Sequence, residues 1–232
     1  MLTRAVVVLV AAVALPGAAG AADVRGDRST RATLPVSSAY TPGTFEFRKD
    51  SDWYKVTLAA GTDYAVSSNG SYGLVVRLRD AAGRVLTSVH DGDYTDAGFE
   101  FRAPKSGTYF VEYQETPNPD SGNTGRYVAR VMPDCRGDRT TTCTLRPGKP
   151  QTRQTAWFED VDWFKVALTK GRTYTVTLDT ADPSDVEIVR SDGTVLAGEG
   201  TPFRPGATGA YFVRVRTGND DGQEYRVGLT VR

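Results

Sequence analysis

Hydrophobic and polar residues alternate in short runs along most of this chain. In DWYKVTL every second residue from Tyr54 onward is apolar, and DWFKVAL repeats the pattern from Phe164 onward. A period of two with one apolar face predicts half-buried β-strands. Turn signals such as DAAG at Asp80 and SDG at Ser191 separate these runs. Seven or eight short strands in about 100 residues favour a β-sandwich, so the predicted fold class is all-β.

The same unit is present twice. The segments DVRGDRSTRATL (23–34) and DCRGDRTTTCTL (134–145) are identical at eight of twelve positions. The matches continue at a nearly constant offset, with DSDWYKVTL returning as DVDWFKVAL and FRAPKSGTYFVEY returning as FRPGATGAYFVRV. A period near 100 residues indicates a duplicated domain rather than a solenoid repeat. We therefore predict two tandem β-sandwich domains, at residues 22–131 and 132–232.

The first residues have the pattern of a secretory signal peptide. Arg4 precedes an apolar run from Ala5 to Leu15, and Ala19-Gly20-Ala21 supplies small residues for cleavage. The run has about half of the roughly 20 residues that a membrane helix needs. We predict a signal peptide at residues 1–21, a secreted, extracellular protein and no membrane span.

Charge argues against a nucleic-acid partner. The chain has 28 Lys and Arg and 28 Asp and Glu, so removal of the predicted signal peptide with Arg4 leaves one more acid than base. Both signs are interspersed along every segment, whereas a phosphate-binding surface would show clustered cations.

The two cysteines are predicted to form a disulfide. Cys135 and Cys143 lie eight positions apart in a chain expected to be exported, and closing such a loop stabilises by roughly 2–3 kcal/mol. A zinc site is the alternative, but two thiolates cannot complete a tetrahedral shell and the one histidine, His90, is far away in sequence. Val24 and Ala32 take the cysteine positions in the first copy, so the fold does not require the bond.

The repeated motif resembles a known family. The order Asp-x-Asp-Trp-aromatic-Lys-Val, Gly-x-x-Tyr, a turn with Asp and Gly (DAAG or SDG), Gly-x-Tyr-aromatic-Val and a closing Tyr strand resembles the bacterial pre-peptidase C-terminal domain, in both copies. The resemblance implies a jelly-roll-like β-sandwich that is secreted and non-catalytic and that accompanies exported hydrolases. It also implies similarity to the collagen-binding modules of secreted collagenases, which bind calcium through their opening segment and ligand through aromatic residues on a sheet face.

Calcium is the candidate cofactor. The family's opening aspartate corresponds to Asp27 and Asp138, and each could converge with the acidic pair of the following strand. Convergence would bring oxygen ligands together, as calcium requires; the alternative is that these residues cap turns. The candidate ligands are Asp27, Asp50 and Asp52 in copy one and Asp138, Asp160 and Asp162 in copy two. The acidic loop with Asp91, Asp93 and Asp96 does not have EF-hand spacing, so we interpret it as solvated.

Four aromatic residues are the candidate ligand-binding face. Trp53, Phe110, Trp163 and Phe212 alternate with core positions, so they are expected on the opposite face of their strands. Exposed aromatics there would suit stacking on a sugar or gripping an extended peptide. The alternative is that another segment covers them.

Catalysis is not expected. His90 has no duplicate and lies in no hydrolase motif, so we interpret it as a surface residue of an acidic loop. The repeated Arg-Gly-Asp is explained by duplication and is not interpreted as an adhesive signal.

The sequence favours a pair of secreted, non-catalytic binding modules that recognise an extracellular polysaccharide or protein, with calcium as an aid. Two alternatives stay open. One is a partner or inhibitor of a secreted peptidase that acts through the long loops of copy one. The other is an envelope-associated structural spacer.

Overall fold

The computed structural model describes most of the chain downstream of the predicted signal peptide. The described residues are 23–47, 49–69, 74–90, 96–115, 125–157, 160–181, 184–217 and 223–232. The signal-peptide prediction for residues 1–21 and parts of both long loops of copy one lie outside them. Within these ranges, no helix has the length and apolar character needed to cross a membrane.

Among the described residues, eight strands form the first sandwich. One sheet has the order β1-β8-β3-β6 and the other β2-β7-β4-β5, and all pairs are antiparallel. These orders are those of an eight-stranded jelly roll built from two Greek keys. The strands are β1 Thr41–Thr44, β2 Ser51–Leu58, β3 Asp63–Asn69, β4 Leu74–Arg79, β5 Val85–His90, β6 Asp96–Arg102, β7 Gly107–Glu115 and β8 Arg126–Pro133.

In the described part of the second copy, seven strands form a sandwich in the same arrangement. Its sheets have the orders β11-β15-β9 and β10-β14-β12-β13. An isolated bridge between Tyr174 and Phe203 takes the place that β6 occupies in the first sandwich. The strands are β9 Gln151–Gln154, β10 Val161–Leu168, β11 Tyr174–Thr180, β12 Asp185–Val189, β13 Val195–Gly198, β14 Gly209–Arg216 and β15 Glu224–Val231.

The prediction of an all-β protein with two sandwiches is confirmed. No strand pairing among the described residues joins β1–β8 to β9–β15. β8 continues to Pro133, two residues beyond the predicted end of the first domain at 131.

Period-two alternation explains both cores. In β2 the side chains of Tyr54, Val56 and Leu58 are buried between the two sheets, and β10 buries the corresponding Phe164, Val166 and Leu168. Aromatic rings fill the first core, where Tyr127 stacks on Tyr113 with ring centroids 5.2 Å apart. Because successive side chains point to opposite faces, this register also decides which polar residues of the same strands enter the interior.

Candidate functional site

One acidic pair lies where β2 begins and another where β10 begins, each at one end of its sandwich. Asp52 is two positions before Tyr54 in β2, so the strand period places its carboxylate on the core face. Asp52 is buried, and the hydroxyl of Tyr127 in β8 donates to its Oδ2. Tyr54 lies beside this bond, with its hydroxyl oxygen 3.0 Å from that of Tyr127.

The first sandwich gathers four acidic residues around this point. Asp23, Glu46, Asp50 and Asp52 each contribute a carboxylate oxygen, and these oxygens all lie within 4.8 Å of one another. Asp50 is fixed in place because its Oδ2 accepts from the Glu46 amide at 2.8 Å and its Oδ1 from the Ser51 amide at 2.7 Å. We call this group the first acidic cluster.

The second sandwich repeats the arrangement with three acids. Asp134, Asp160 and Asp162 place carboxylate oxygens within 4.8 Å of one another, and we call them the second acidic cluster. Their exposed fractions are 7%, 1% and 3%. Tyr225 donates to Asp162 Oδ2 as Tyr127 does to Asp52. Ala156 occupies the position of Glu46, and its amide donates to Asp160 Oδ2 at 2.7 Å.

Both clusters hold buried oxygens that no donor satisfies. Asp52 Oδ1, Asp134 Oδ2, Asp160 Oδ1 and Asp162 Oδ1 have no hydrogen-bond partner. No salt bridge among the described residues includes a member of either cluster. Buried carboxylates without partners are costly, so a cation or protons must compensate this charge.

The pKa values of these carboxyl groups show how strongly their surroundings oppose ionisation. Burial raises the pKa of Asp52 to about 7, with the neighbouring Asp50 adding to the effect. Burial, then the Asp134 carboxylate, raises the pKa of Asp160 to about 8. The same two causes place the pKa of Asp162 well above its ordinary value, and burial raises that of Asp134. In each case a positive ion in the cluster would stabilise the ionised form.

The donor set fits a hard divalent cation. Every candidate ligand is a carboxylate oxygen, which calcium prefers, and neither cluster includes the sulfur or imidazole ligands that softer metals favour. Asp23, Glu46, Asp50 and Asp52 would hold a calcium ion in the first sandwich. Asp134, Asp160 and Asp162 would hold one in the second.

The structure brings together the predicted acidic pairs, but each pair is joined by a different aspartate of its opening segment than the one predicted. Asp27 and Asp138 belong to neither cluster, because each caps a turn: Asp27 Oδ1 accepts from the Ser29 amide and Asp138 Oδ1 from the Thr140 amide, both at 2.6 Å. The hydrogen bond to Ser29 lowers the pKa of Asp27. Turn capping, the stated alternative, is the role that this geometry shows.

The aspartates that do join the clusters have a signal in the sequence. Asp23 and Asp134 are the first identical position of the duplicated opening segment, four residues before the ones chosen. Glu46 had no such signal, because the second copy has Ala156 there.

The expectation of an exposed aromatic face is wrong. Trp53, Phe110, Trp163 and Phe212 are 8%, 4%, 7% and 6% exposed. The rings pack in pairs, with centroids 5.8 Å apart for Trp53 and Phe110 and 5.4 Å apart for Trp163 and Phe212. The Arg79 guanidinium lies 4.5 Å from the Trp53 ring centroid. Long side chains of the same sheet therefore cover these rings.

The predicted disulfide is present. Cys135 and Cys143 are bonded, with their Cα atoms 5.4 Å apart. The bond closes the loop that begins next to Asp134 and contains the second Arg-Gly-Asp. His90 is exposed at the end of β5. Asp91, Asp93 and the side chain of Asp96 lie outside the described residues.

A protein-family model matches part of the first sandwich. Residues 50–114 match the bacterial pre-peptidase C-terminal domain. This pre-peptidase match begins at Asp50, includes Asp52 and runs from β2 through most of β7. It lies within the first sandwich and does not extend to the second.

Other comparisons give weaker likenesses. No curated protein matches the chain. Among solved structures, the Aeromonas hydrophila periplasmic inhibitor of g-type lysozyme, PliG, is 16% identical with a TM-score of 0.32 and covers 43% of this chain and 96% of that chain. A GH2 β-galacturonidase from Eisenbergiella tayi is 12% identical with a TM-score of 0.27, covering 72% and 29%. The PBSX exported protein XepA is 13% identical with a TM-score of 0.28, covering 85% and 89%. All three scores are below 0.5, so these likenesses define neither fold nor function.

Proposed function

We propose that this protein is a secreted, non-catalytic pair of binding domains that recognises an extracellular polysaccharide or protein, with one calcium ion supporting each sandwich. The observation that carries the calcium part is the second acidic cluster, in which three buried carboxylates place oxygens within 4.8 Å of one another and form no salt bridge among the described residues. The match to the pre-peptidase C-terminal domain supports the secreted, non-catalytic part. Domains that resemble it accompany exported hydrolases.

Calcium has a structural role in this proposal. Both clusters are at a sandwich end, where each links an opening segment to the first residues of β2 or β10. A cation shared by Asp23, Asp50 and Asp52, or by Asp134, Asp160 and Asp162, would hold those segments together. In this proposal the partner is recognised by surfaces whose conformation the opening segments help to order.

Isothermal titration with calcium tests the metal part. We expect two binding events in wild type, one in Asp52→Asn, one in Asp162→Asn and none in the double variant. Asn keeps the shape and the acceptor for the tyrosine hydroxyl, so these variants remove charge without removing the hydrogen bond. The absence of binding at millimolar calcium would reject the metal part.

Binding to insoluble material tests the partner part. Wild type and the double variant are incubated with insoluble polysaccharides and collagen, in calcium and in chelator. Retention that calcium strengthens supports the proposal. Capture of a peptidase from culture supernatant, with no retention on polymers, would favour the peptidase partner. If neither retention nor capture is observed, the structural spacer is favoured.

A further inference from the structure

Asp134 contacts both sandwiches. It follows β8 directly, and its amide donates to the Asp63 carbonyl of β3 at 3.0 Å. Its carboxylate belongs to the second acidic cluster together with Asp160 and Asp162 of the second sandwich. A group bound by these carboxylates would therefore act on the segment that joins the sandwiches.

The backbone of Thr155 and Ala156 forms a second connection between the sandwiches. The Ala156 amide donates to Asp160 of the cluster. On its other side, the fully buried Arg130 of β8 donates to the carbonyls of Ala156 and Thr155. Arg130 also stacks on Tyr40, with its guanidinium carbon 4.3 Å from the ring centroid. The first sandwich thus holds the backbone that orients Asp160.

A third connection runs through Gly137. Its amide donates to Glu100 Oε1 in β6 at 2.7 Å. A Cβ atom at this position would lie 2.8 Å from the carbonyl oxygen of Val161, the first residue of β10, which lies between Asp160 and Asp162. Glycine therefore lets the joining segment lie against the cluster-bearing strand while it is bonded to the first sandwich.

The first acidic cluster has a different setting. Its described hydrogen bonds involve Tyr127, Ser51 and the Glu46 amide, all within the first sandwich. Glu46 offers a carboxylate to its cluster, whereas the equivalent Ala156 offers its carbonyl to Arg130. The position has changed from a potential ligand to an interdomain contact.

We propose that the second acidic cluster is a calcium-dependent latch between the two sandwiches. Without a cation the ionised carboxylates repel one another, and Asp134 is the member that the first sandwich holds, through its amide bond to the Asp63 carbonyl. A bound cation draws Asp134 to Asp160 and Asp162, which closes the contacts of Asp63, Arg130 and Glu100 across the joint. This inference rests on the proposed calcium binding.

Small-angle X-ray scattering of the whole chain, in calcium and in chelator, tests the latch. Calcium is expected to reduce the radius of gyration and the maximum dimension of wild type and of Asp52→Asn, which keeps the second cluster. Asp162→Asn keeps the first cluster and is expected to show no change. A response lost in Asp52→Asn instead would overturn the assignment to the second cluster.

Linkage provides an independent test. If calcium closes the joint, loosening the joint must weaken calcium binding at the second cluster, by roughly fivefold or more for a coupling of ordinary size. Arg130→Met, in the Asp52→Asn background, removes the bonds to Thr155 and Ala156. Loss of a nearby positive charge alone would strengthen calcium binding, so weaker binding supports the latch.

A second variant covers the case in which Arg130→Met does not fold. Gly98 lies under the Trp157 ring, and a Cβ there would meet Trp157 Cε3 at 2.7 Å. Gly98→Val should separate β6 from Trp157 without a change of charge. It should weaken calcium binding at the second site, measured in the Asp52→Asn background, but not at the first site, measured in the Asp162→Asn background.

The outcomes separate the two proposals. Calcium binding at the second cluster with unchanged scattering, and with unchanged affinity in both joint variants, would overturn the latch and leave the proposed function intact. No calcium binding in wild type would overturn both.

Discussion

Arg102 and Asp63 form a bidentate ion pair, with Nε 2.7 Å from Oδ1 and Nη2 2.6 Å from Oδ2. Both residues lie in the first sandwich, yet each also binds the joining segment. Arg102 Nη2 donates to the Thr140 carbonyl at 2.7 Å, and Asp63 Oδ2 accepts from Thr142 Oγ1 at 3.1 Å. The pair therefore anchors the start of the second copy on the sheet of the first.

Arg102→Ala should destabilise the protein by about 2–4 kcal/mol, because it leaves the buried Asp63 carboxylate without its cation. The chain provides a matched control. Arg204 is the equivalent residue of the second copy, and it donates to the Gly171 carbonyl at 3.1 Å in an exposed setting. Arg204→Ala should cost less than about 0.5 kcal/mol. Chemical denaturation measures both, and equal losses would contradict the anchoring role.

Tyr127→Phe and Tyr225→Phe should each reduce stability by roughly 1–3 kcal/mol, since each removes the donor to a buried aspartate oxygen. Tyr109→Phe is the comparison, because its hydroxyl donates to the Lys105 carbonyl at 2.9 Å in a partly exposed place. Thermal denaturation should rank Tyr109→Phe as the mildest of the three. A larger effect for Tyr109→Phe would show that the tyrosine to aspartate bonds contribute little.

Asp162→Asn should change stability in opposite directions with and without calcium. In chelator it replaces a buried carboxyl group whose ionisation is opposed by burial and by the Asp134 and Asp160 carboxylates, so the melting temperature should rise above that of wild type. In millimolar calcium wild type gains the binding free energy at this site and the variant does not, so their order should reverse. Differential scanning calorimetry in both buffers measures this, and an unchanged order would argue against a cation at the second cluster.

Trp53→Ala should destabilise by about 3–5 kcal/mol, because it removes a buried ring that packs on Phe110 and under Arg79. Phe47→Ala is the control, since Phe47 is 56% exposed and its loss should change stability by less than about 0.5 kcal/mol. Urea denaturation measures both. A Trp53→Ala variant of wild-type stability that no longer bound a polymer would restore the ligand-face hypothesis.

The sequence predicted the fold well because strand periodicity and duplication are encoded locally. Residues such as Tyr54 and Val56 appear at a spacing that only a half-buried strand explains, and the second copy repeats it with Phe164 and Val166. The acidic pairs could be predicted for the same reason, since Asp52 continues the core face of β2 by one more period.

The remaining features depend on long-range packing. Period two shows that Trp53 and Tyr54 point to opposite faces, but it cannot show that Arg79 of β4 covers the Trp53 ring. Similarly, nothing near Arg130 in sequence indicates that the carbonyl of Ala156 is its partner. The opening segment contains two aspartates. Asp27 caps a local turn and Asp23 joins the cluster, and the sequence alone does not distinguish these two roles.

The disulfide can be removed by giving the second copy the residues that the first copy has at the equivalent positions. Cys135→Val together with Cys143→Ala gives the second opening segment the side chains of Val24 and Ala32. Loss of so short a closed loop should lower stability by roughly 2–3 kcal/mol. The bond also begins beside Asp134, so its loss should weaken calcium binding at the second cluster and leave the first unchanged. Calorimetric titration in the Asp52→Asn and Asp162→Asn backgrounds separates the two sites. Equal weakening of both would show a general loss of stability instead of a local one.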